Sequence, residues 1–339
     1  MFDPAHTETS LVAEATSVAA TGARLAEILT GGGSSMRDPG RGDLCFEEDL
    51  ALQPLERGPE PPDTWAVDGG QILVADARCI QVYAARASRV RWQEGRCAKE
   101  DEGALRVGLF GMGEEKRVLA GSGAPVSADS AVDVNLLRDW LEWVSVSECV
   151  EEALPGGMVL VDGDLQPDWR VSSSWLEELL SRADARGVVV AGVTKHTSLT
   201  WGGAPLLGRL ERLAADSLGA RACWWAPVAR TRPDVGAGIQ VVVARLDPDA
   251  RFSFRIDLPG SLGRGDVERV LGMLSALCDD AAFPGYPYPL SVADRLAACP
   301  PYTRDEVWSE IEDLLDAAGV PIDVRERAFA DRHRLMERA

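Results

Sequence analysis

Two segments of this chain end an apolar run on Asp-Gly, and together they constrain the fold more than any other feature of the sequence. The first is Trp65-Ala66-Val67-Asp68-Gly69-Gly70-Gln71, preceded by Pro59, Pro61 and Pro62 and followed by Ile72-Leu73-Val74-Ala75. The second is Met158-Val159-Leu160-Val161-Asp162-Gly163-Asp164. Each reads as a short strand that stops at its aspartate, with the glycines expected to turn the backbone at positive φ without a Cβ penalty. A single Asp-Gly-Gly is ordinary hairpin chemistry. Repeated, it sets two carboxylates at strand ends beside backbone that a phosphate can approach closely, an arrangement that suits a hard metal ion.

The order of elements around these segments adds to the argument. Residues 11–30 carry apolar residues at helical spacing (Leu11, Val12, Val18, Leu25, Ile28, Leu29), and Thr30 to Ser35 ends that helix as a glycine-rich linker. Positions 36–63 are acidic and Pro-rich and are expected to form a loop. Three antiparallel strands follow at 64–68, 72–85 and 104–110, then a helix from Val132 to Leu154 with Leu137, Trp140, Leu141 and Val144 on one stripe. The Met158–Asp162 strand comes next, then a helix from Ser173 to Ala185. The β-branched run at 188–193 reads as a buried parallel strand. Beyond it we expect a helix at 205–217, strands at 221–226, 237–246 and 251–257, and helices at 266–281, 303–317 and 323–337.

Composition narrows the class. The 339 residues suffice for one large domain or two ordinary ones, and 46% hydrophobic content argues for a packed core. No apolar run nears the roughly 20 residues that span a bilayer. The N-terminus lacks the basic start and apolar core of a signal peptide, and the seven cysteines never fall in Cys-x-x-Cys. These features point to a soluble, cytoplasmic protein without a membrane partner. The net charge of −19 disfavours unaided nucleic-acid binding, since phosphate contacts dominate such affinity. A local basic strip (Arg78, Arg86, Arg89, Arg91, Arg96 and Lys99, with only Glu94 as acid between 78 and 99) is the exception; it is either a strand-holding groove or a solvated face.

Strand-Asp, two strands, an acid-bearing helix, strand-Asp, helix, strand is the order of a ribonuclease-H-like fold. This predicts an α/β mixed sheet flanked by helices, with N- and C-terminal helical extensions. In that arrangement the first and fourth strands are neighbours and a helix presents an acid across their ends. Two metal ions about 4 Å apart need such converging carboxylates. Asp68 and Asp162 supply two. The helix acid is either Glu142, near the middle, or Glu148, in line with Leu137, Leu141 and Val144; we favour Glu142.

Ala66-Val67-Asp68-Gly69-Gly70, Arg138…Glu142, Val159 to Leu165, Gly192-Val193-Thr194-Lys195, and Gly285-Tyr286-Pro287-Tyr288-Pro289-Leu290 followed by Ala293-Asp294-Arg295 occur in that order. As an ordered set they resemble the NurA nuclease family over about residues 61–300. The resemblance implies a Mn²⁺-dependent (or Mg²⁺-dependent) DNA nuclease, a 5′-3′ exonuclease and single-strand endonuclease. It also implies a homodimer that works with a HerA-type hexameric ATPase on DNA ends, in repair or defence. Residues 1–60 would then be an N-terminal helix and acidic linker, and 301–339 a helical tail. By position, Asp68, Glu142, Asp162 and Asp294 become metal ligands, Tyr286 an active-site tyrosine and Lys195 a phosphate contact. Asp294 departs from the family pattern, which often has His there, and no nearby histidine replaces it: His196 is next to Lys195 and His333 is in the tail. An aspartate can ligate a hard cation, but it cannot act as an imidazole acid near neutral pH.

Two other readings compete. An actin-like or sugar-kinase phosphotransferase also places Asp-Gly-Gly after a first strand, but it needs a second glycine-rich loop, for which Gly202-Gly203 and Gly236-Ala237-Gly238 are poor candidates. A NurA-like docking subunit without activity is disfavoured by retention of all three core acids and favoured by the Asp294 departure and the net charge of −19.

Overall fold

The computed structural model describes residues 18–30, 33–39, 43–48, 50–125, 131–166, 170–232 and 238–330. In chain order its first half runs α1 (Val18–Thr30), β1 (Met36–Arg37), β2 (Leu44–Phe46), β3 (Gln53–Pro54), β4 (Thr64–Asp76), β5 (Gln81–Gln93), β6 (Arg96–Asp101), β7 (Arg106–Phe110), α2 (Glu115–Ser122) and α3 (Val134–Glu152). The middle holds β8 (Met158–Asp162), α4 (Ser173–Ala185), β9 (Val189–Thr194), β10 (Thr200–Trp201), β11 (Ala204–Pro205) and α5 (Leu206–Ser217). The remainder is β12 (Trp224–Thr231), β13 (Ile239–Arg245), β14 (Phe254–Pro259), α6 (Arg264–Ser275), α7 (Tyr288–Ala297), α8 (Pro301–Ala317) and α9 (Ile322–Phe329).

One mixed sheet dominates, in the order β2-β12-β13-β14-β9-β8-β4-β5-β6, with β3 also on β12 and β7 also on β5. Its centre is parallel: β4 pairs β8 with Val67 opposite Val161, and β8 pairs β9 with Asp162 opposite Val193. Every other pairing in this sheet is antiparallel among the described residues. This is a ribonuclease-H-like mixed sheet flanked by helices.

Alternation along the central strands explains the two helical layers. Ala66, Leu160 and Val193 point to one face and pack with Leu271 and Leu274 of α6 and Leu290 and Ala293 of α7. Trp65, Val67, Val159 and Val161 point to the other, against Leu136, Trp143 and Val146 of α3 and Leu176 and Leu179 of α4. Strands buried on both faces lose the polar alternation of a half-exposed sheet, which is why β8 and β9 read as continuous apolar runs. The α3 helix starts where the Asp133 side chain accepts the Leu136 amide at 2.9 Å, capping an otherwise orphan donor.

The structure adds β6 and α2, which were not expected, and departs from expectation elsewhere as well. Gly69-Gly70 does not turn: β4 runs unbroken through it, and neither glycine has positive φ. The strand expected at 72–85 is instead the second half of β4 and the first part of β5, joined at 77–80. The stretch 36–63 is not loop throughout, because β2 and β3 complete the edge of the sheet on β12. Helix α7 lies where no helix was read. Its start is set by Pro287 at the N-cap and Pro289 in the first turn, a position where a missing N–H is harmless. Positions 11–17 and 331–337 of the two expected terminal helices lie outside the described residues, as does His333.

Candidate active site

Asp68 and Asp162 are the residues that follow the last β4–β8 register pair, so parallel pairing alone brings them side by side at the point where β8 ends and β4 continues. Asp294 projects from α7 onto the same spot. Carboxylate oxygens of Asp68, Asp162 and Asp294 all lie within 4.8 Å of one another. Asp68 is buried, Asp162 partly buried and Asp294 exposed, so the cluster forms a wall with one open side.

The glycines make room for this cluster rather than turning the chain. A Cβ on Gly69 would stand 2.1 Å from Oε1 of Glu142, and one on Gly70 would stand 2.0 Å from the carbonyl oxygen of Ala297. Gly69 therefore receives the acid of α3 on one face of the sheet, and Gly70 receives the end of α7 on the other. Glu142 is buried and ion-paired to Arg138 one turn earlier on α3. It stands beside the aspartate cluster rather than within it. Glu148 is exposed and pairs with Arg89 instead.

Lys195, just beyond β9, bridges two of the acids: its Nζ donates to Oδ2 of Asp162 at 2.6 Å and to Oδ1 of Asp294 at 2.8 Å. The same ammonium lies 5.1 Å from the centre of the Tyr286 ring, within cation–π range. Tyr286 is buried, and its hydroxyl has no hydrogen-bond partner among the described residues although Asp162 is near enough to act on it electrostatically.

The electrostatics follow from this crowding. Burial, and then the charge of Asp162, push the Asp68 carboxyl up to about 7, against which the Gly69 amide at 2.7 Å and Lys195 provide only partial relief. Burial raises Glu142 well above the usual carboxylate range, with Arg138 opposing. Burial and the neighbouring aspartates raise Tyr286, so its phenol stays protonated. For Lys195, burial acts to lower the pKa, but the bonds to Asp162 and Asp294 outweigh it and the net shift is upward.

Two supporting features were not singled out from sequence. Arg138, though part of a recognised segment, had no role until its pairing with Glu142 was seen. The other is a buried bidentate pair in β14, where Arg255 donates to both oxygens of Asp257 at 2.8 Å. Asp257 also accepts the Leu165 amide at 3.3 Å, and Arg255 lies 3.9 Å from Asp164, so this pair anchors the turn that leaves Asp162. Asp164 therefore belongs to the turn and not to the cluster. Charges two residues apart in the apolar run Phe254-Arg255-Ile256-Asp257-Leu258 were the available signal, since same-face neighbours of opposite sign pair when buried.

The basic strip at 78–99 is largely spent on internal ion pairs. Arg86 pairs with Glu102, Arg89 with Asp101, Glu148 and Glu152, and Arg91 with the buried Asp63. The outer members Arg78 and Arg96 pair with Asp76 and Glu94. Arg89, Arg91 and Lys99 also surround the Trp65 ring at 5.2–5.7 Å.

No protein-family pattern matches the sequence, and no curated protein does either. Among solved structures, the NurA nuclease from Sulfolobus solfataricus superposes with a TM-score of 0.56 at 16% identity, covering 79% of this chain and 88% of that one. The chain shares the NurA fold. Another NurA crystal structure (TM-score 0.44, 10% identity, 73% and 86% covered) and the catalytic domain of human endonuclease V (0.38, 15%, 79% and 92%) also match, too loosely to bear on the fold. No helix among the described residues is long and apolar enough to cross a membrane.

Proposed function

We propose that this protein is a metal-dependent nuclease that hydrolyses DNA phosphodiester bonds. The observation that carries this is the convergence of Asp68, Asp162 and Asp294 within 4.8 Å at the centre of a NurA-like sheet. The donor set fits a hard divalent cation, Mn²⁺ or Mg²⁺: it is all carboxylate oxygen, and burial together with the charge of Asp162 pushes the Asp68 carboxyl up to about 7, a cost that a bound cation would relieve. Asp68, Asp162 and Asp294 would hold the ion, with Glu142 completing a second position beside Asp68. When bound, such ions polarise the phosphoryl oxygen and lower the pKa of a bound water.

The chain's own residues supply the remaining functions. Arg138 pairs with Glu142 one turn along α3, opposes the effect of its burial and holds it toward Gly69. Lys195 offers a mobile positive charge to a non-bridging phosphate oxygen. Tyr286, protonated and unpartnered, can donate its phenolic hydrogen to an oxygen of the substrate. Asp294 brings charge to the cluster where an imidazole would bring a transferable proton, so protonation of the leaving oxygen falls to solvent.

Substrate delivery follows from charge. Because the basic strip is consumed internally and the net charge is −19, the protein needs help to hold a polyanion. We therefore extend the proposal to a homodimer seated on a HerA-type ATPase that feeds DNA to the site, with 5′-3′ exonuclease and single-strand endonuclease activity. The test is cleavage of single- and double-stranded DNA with Mn²⁺, Mg²⁺ or EDTA, by wild type and by Asp68→Asn, each alone and with the ATPase plus ATP. Metal-dependent cleavage, abolished in a folded Asp68→Asn and accelerated by the ATPase, is expected. EDTA-resistant cleavage or an active Asp68→Asn would refute the nuclease assignment, and equal rates with and without the ATPase would refute the partner.

A further inference from the structure

Lys195 closes the open side of the acidic cluster. Its ammonium sits between Asp162 (2.6 Å) and Asp294 (2.8 Å), two of the three carboxylates whose oxygens approach within 4.8 Å. A divalent ion held by those aspartates would compete with the Lys195 ammonium for the same two carboxylates, and two cations a few ångströms apart in a half-buried site repel each other strongly.

We propose that Lys195 is a resting-state counter-ion: in the metal-free protein its ammonium stands in for a divalent ion between Asp162 and Asp294, and metal entry displaces it toward the substrate phosphate. This rests on the reading of the cluster as a divalent-metal site. Without a cation there, three carboxylates would face one another across less than 5 Å, and Asp294 would have no side-chain partner among the described residues to hold it toward the sheet. The two bonds tie the end of β9 to α7 and keep the ligands gathered before the metal arrives.

The residue type suits the exchange. A lysine ammonium is a compact charge on a flexible stem with three rotatable donors, so it can change partners without rebuilding its surroundings. The Lys195 side chain is 39% exposed, which leaves room to swing, and the Tyr286 ring 5.1 Å away provides a face along which the ammonium can rest in either position. Gathering the ligands in this way lowers metal affinity, because each ion must first break two charge-assisted bonds.

The test is isothermal titration of the full chain with MnCl₂ and with MgCl₂, without DNA, for wild type, Lys195→Met, Lys195→Gln and Lys195→Arg, alongside melting in EDTA and in saturating Mn²⁺. Removing the charge (Met or Gln) is expected to tighten Mn²⁺ binding at least tenfold. It should also lower Tm in EDTA and erase that deficit in Mn²⁺. Lys195→Arg should stay within about threefold of wild type. Unchanged or weaker Mn²⁺ binding by a folded Met or Gln variant, or an equal Tm deficit with and without metal, would overturn the counter-ion role while leaving the metal site standing. No binding by wild type or any variant would overturn the metal-site reading and the counter-ion role with it.

Discussion

Replacing Gly69 and Gly70 one at a time by alanine separates the chemistry of the site from the packing that supports it. At Gly69 the added methyl would lie 2.1 Å from Oε1 of Glu142, 2.6 Å from its Cγ and 2.7 Å from its Cδ, whereas ordinary contact begins at 3.4 Å. The carboxylate must then retreat by about 1.3 Å. Because Cγ and Cδ also stand inside 3.0 Å, the whole buried Glu142 side chain must turn, an overpacking cost of about 1–3 kcal/mol that the roughly 0.5–1 kcal/mol advantage of alanine over glycine within a strand only partly offsets. A displacement of about 1 Å in a catalytic group can in addition cost about 10²-fold in rate. Gly69→Ala should therefore melt only a few degrees below wild type yet lose about 10²-fold in Mn²⁺-dependent cleavage.

At Gly70 the obstruction is the Ala297 carbonyl oxygen at 2.0 Å, which is backbone and cannot step aside without lifting the end of α7 from β4. Overpacking of that kind costs about 1–3 kcal/mol. Gly70→Ala should thus show a clear drop in denaturation midpoint. Calorimetry and a plasmid-nicking assay on both variants decide the matter. A fully active Gly69→Ala would mean that Glu142 has no part in the reaction, and a Gly70→Ala as stable as wild type would mean that α7 is not seated as described.

Two more predictions follow from buried charge. The Asp68 carboxyl, at about 7 in the folded chain against its ordinary 3.8, binds its proton more tightly folded than unfolded. Metal-free stability must therefore fall as pH rises from about 4 to about 7, by at most about 4 kcal/mol for a shift of roughly 3 units. Asp68→Asn should melt several degrees above wild type at pH 8 in EDTA, with the gap shrinking at pH 5; a constant gap would contradict the origin assigned to the shift. In β14, Asp257→Ala strands the buried Arg255 guanidinium and should cost about 3–5 kcal/mol, measured by urea denaturation. A loss below about 1 kcal/mol would show that the pair is dispensable.

The central strands and the two long helices on the α3 side were legible because hydrophobic period is a local signal, and the β8 and β9 runs carry it strongly. The pairing of Asp68 with Asp162 was legible for the same reason, since both follow an apolar run that the parallel register then aligns. Gly69-Gly70 misled because a glycine required by what packs against it looks the same in sequence as one required by a turn. Only the approach of Glu142 and of Ala297 distinguishes the two. The basic strip misled because its partners Asp63, Glu148 and Glu152 come from outside the segment and reach it only through tertiary contact. Helix α7 was hidden by its short length and by Pro287 and Pro289, which read as loop until seen as a helix start.

The claim that Asp68, Asp162 and Asp294 form a divalent-metal site is tested most directly by anomalous diffraction from crystals of this protein soaked in MnCl₂. The account predicts a manganese peak within ligand distance, about 2.0–2.6 Å, of carboxylate oxygens of Asp68 and Asp162, with the Lys195 ammonium moved away from Asp162. Manganese bound elsewhere with the three aspartates still closed around Lys195, or no peak at saturating metal, would contradict it.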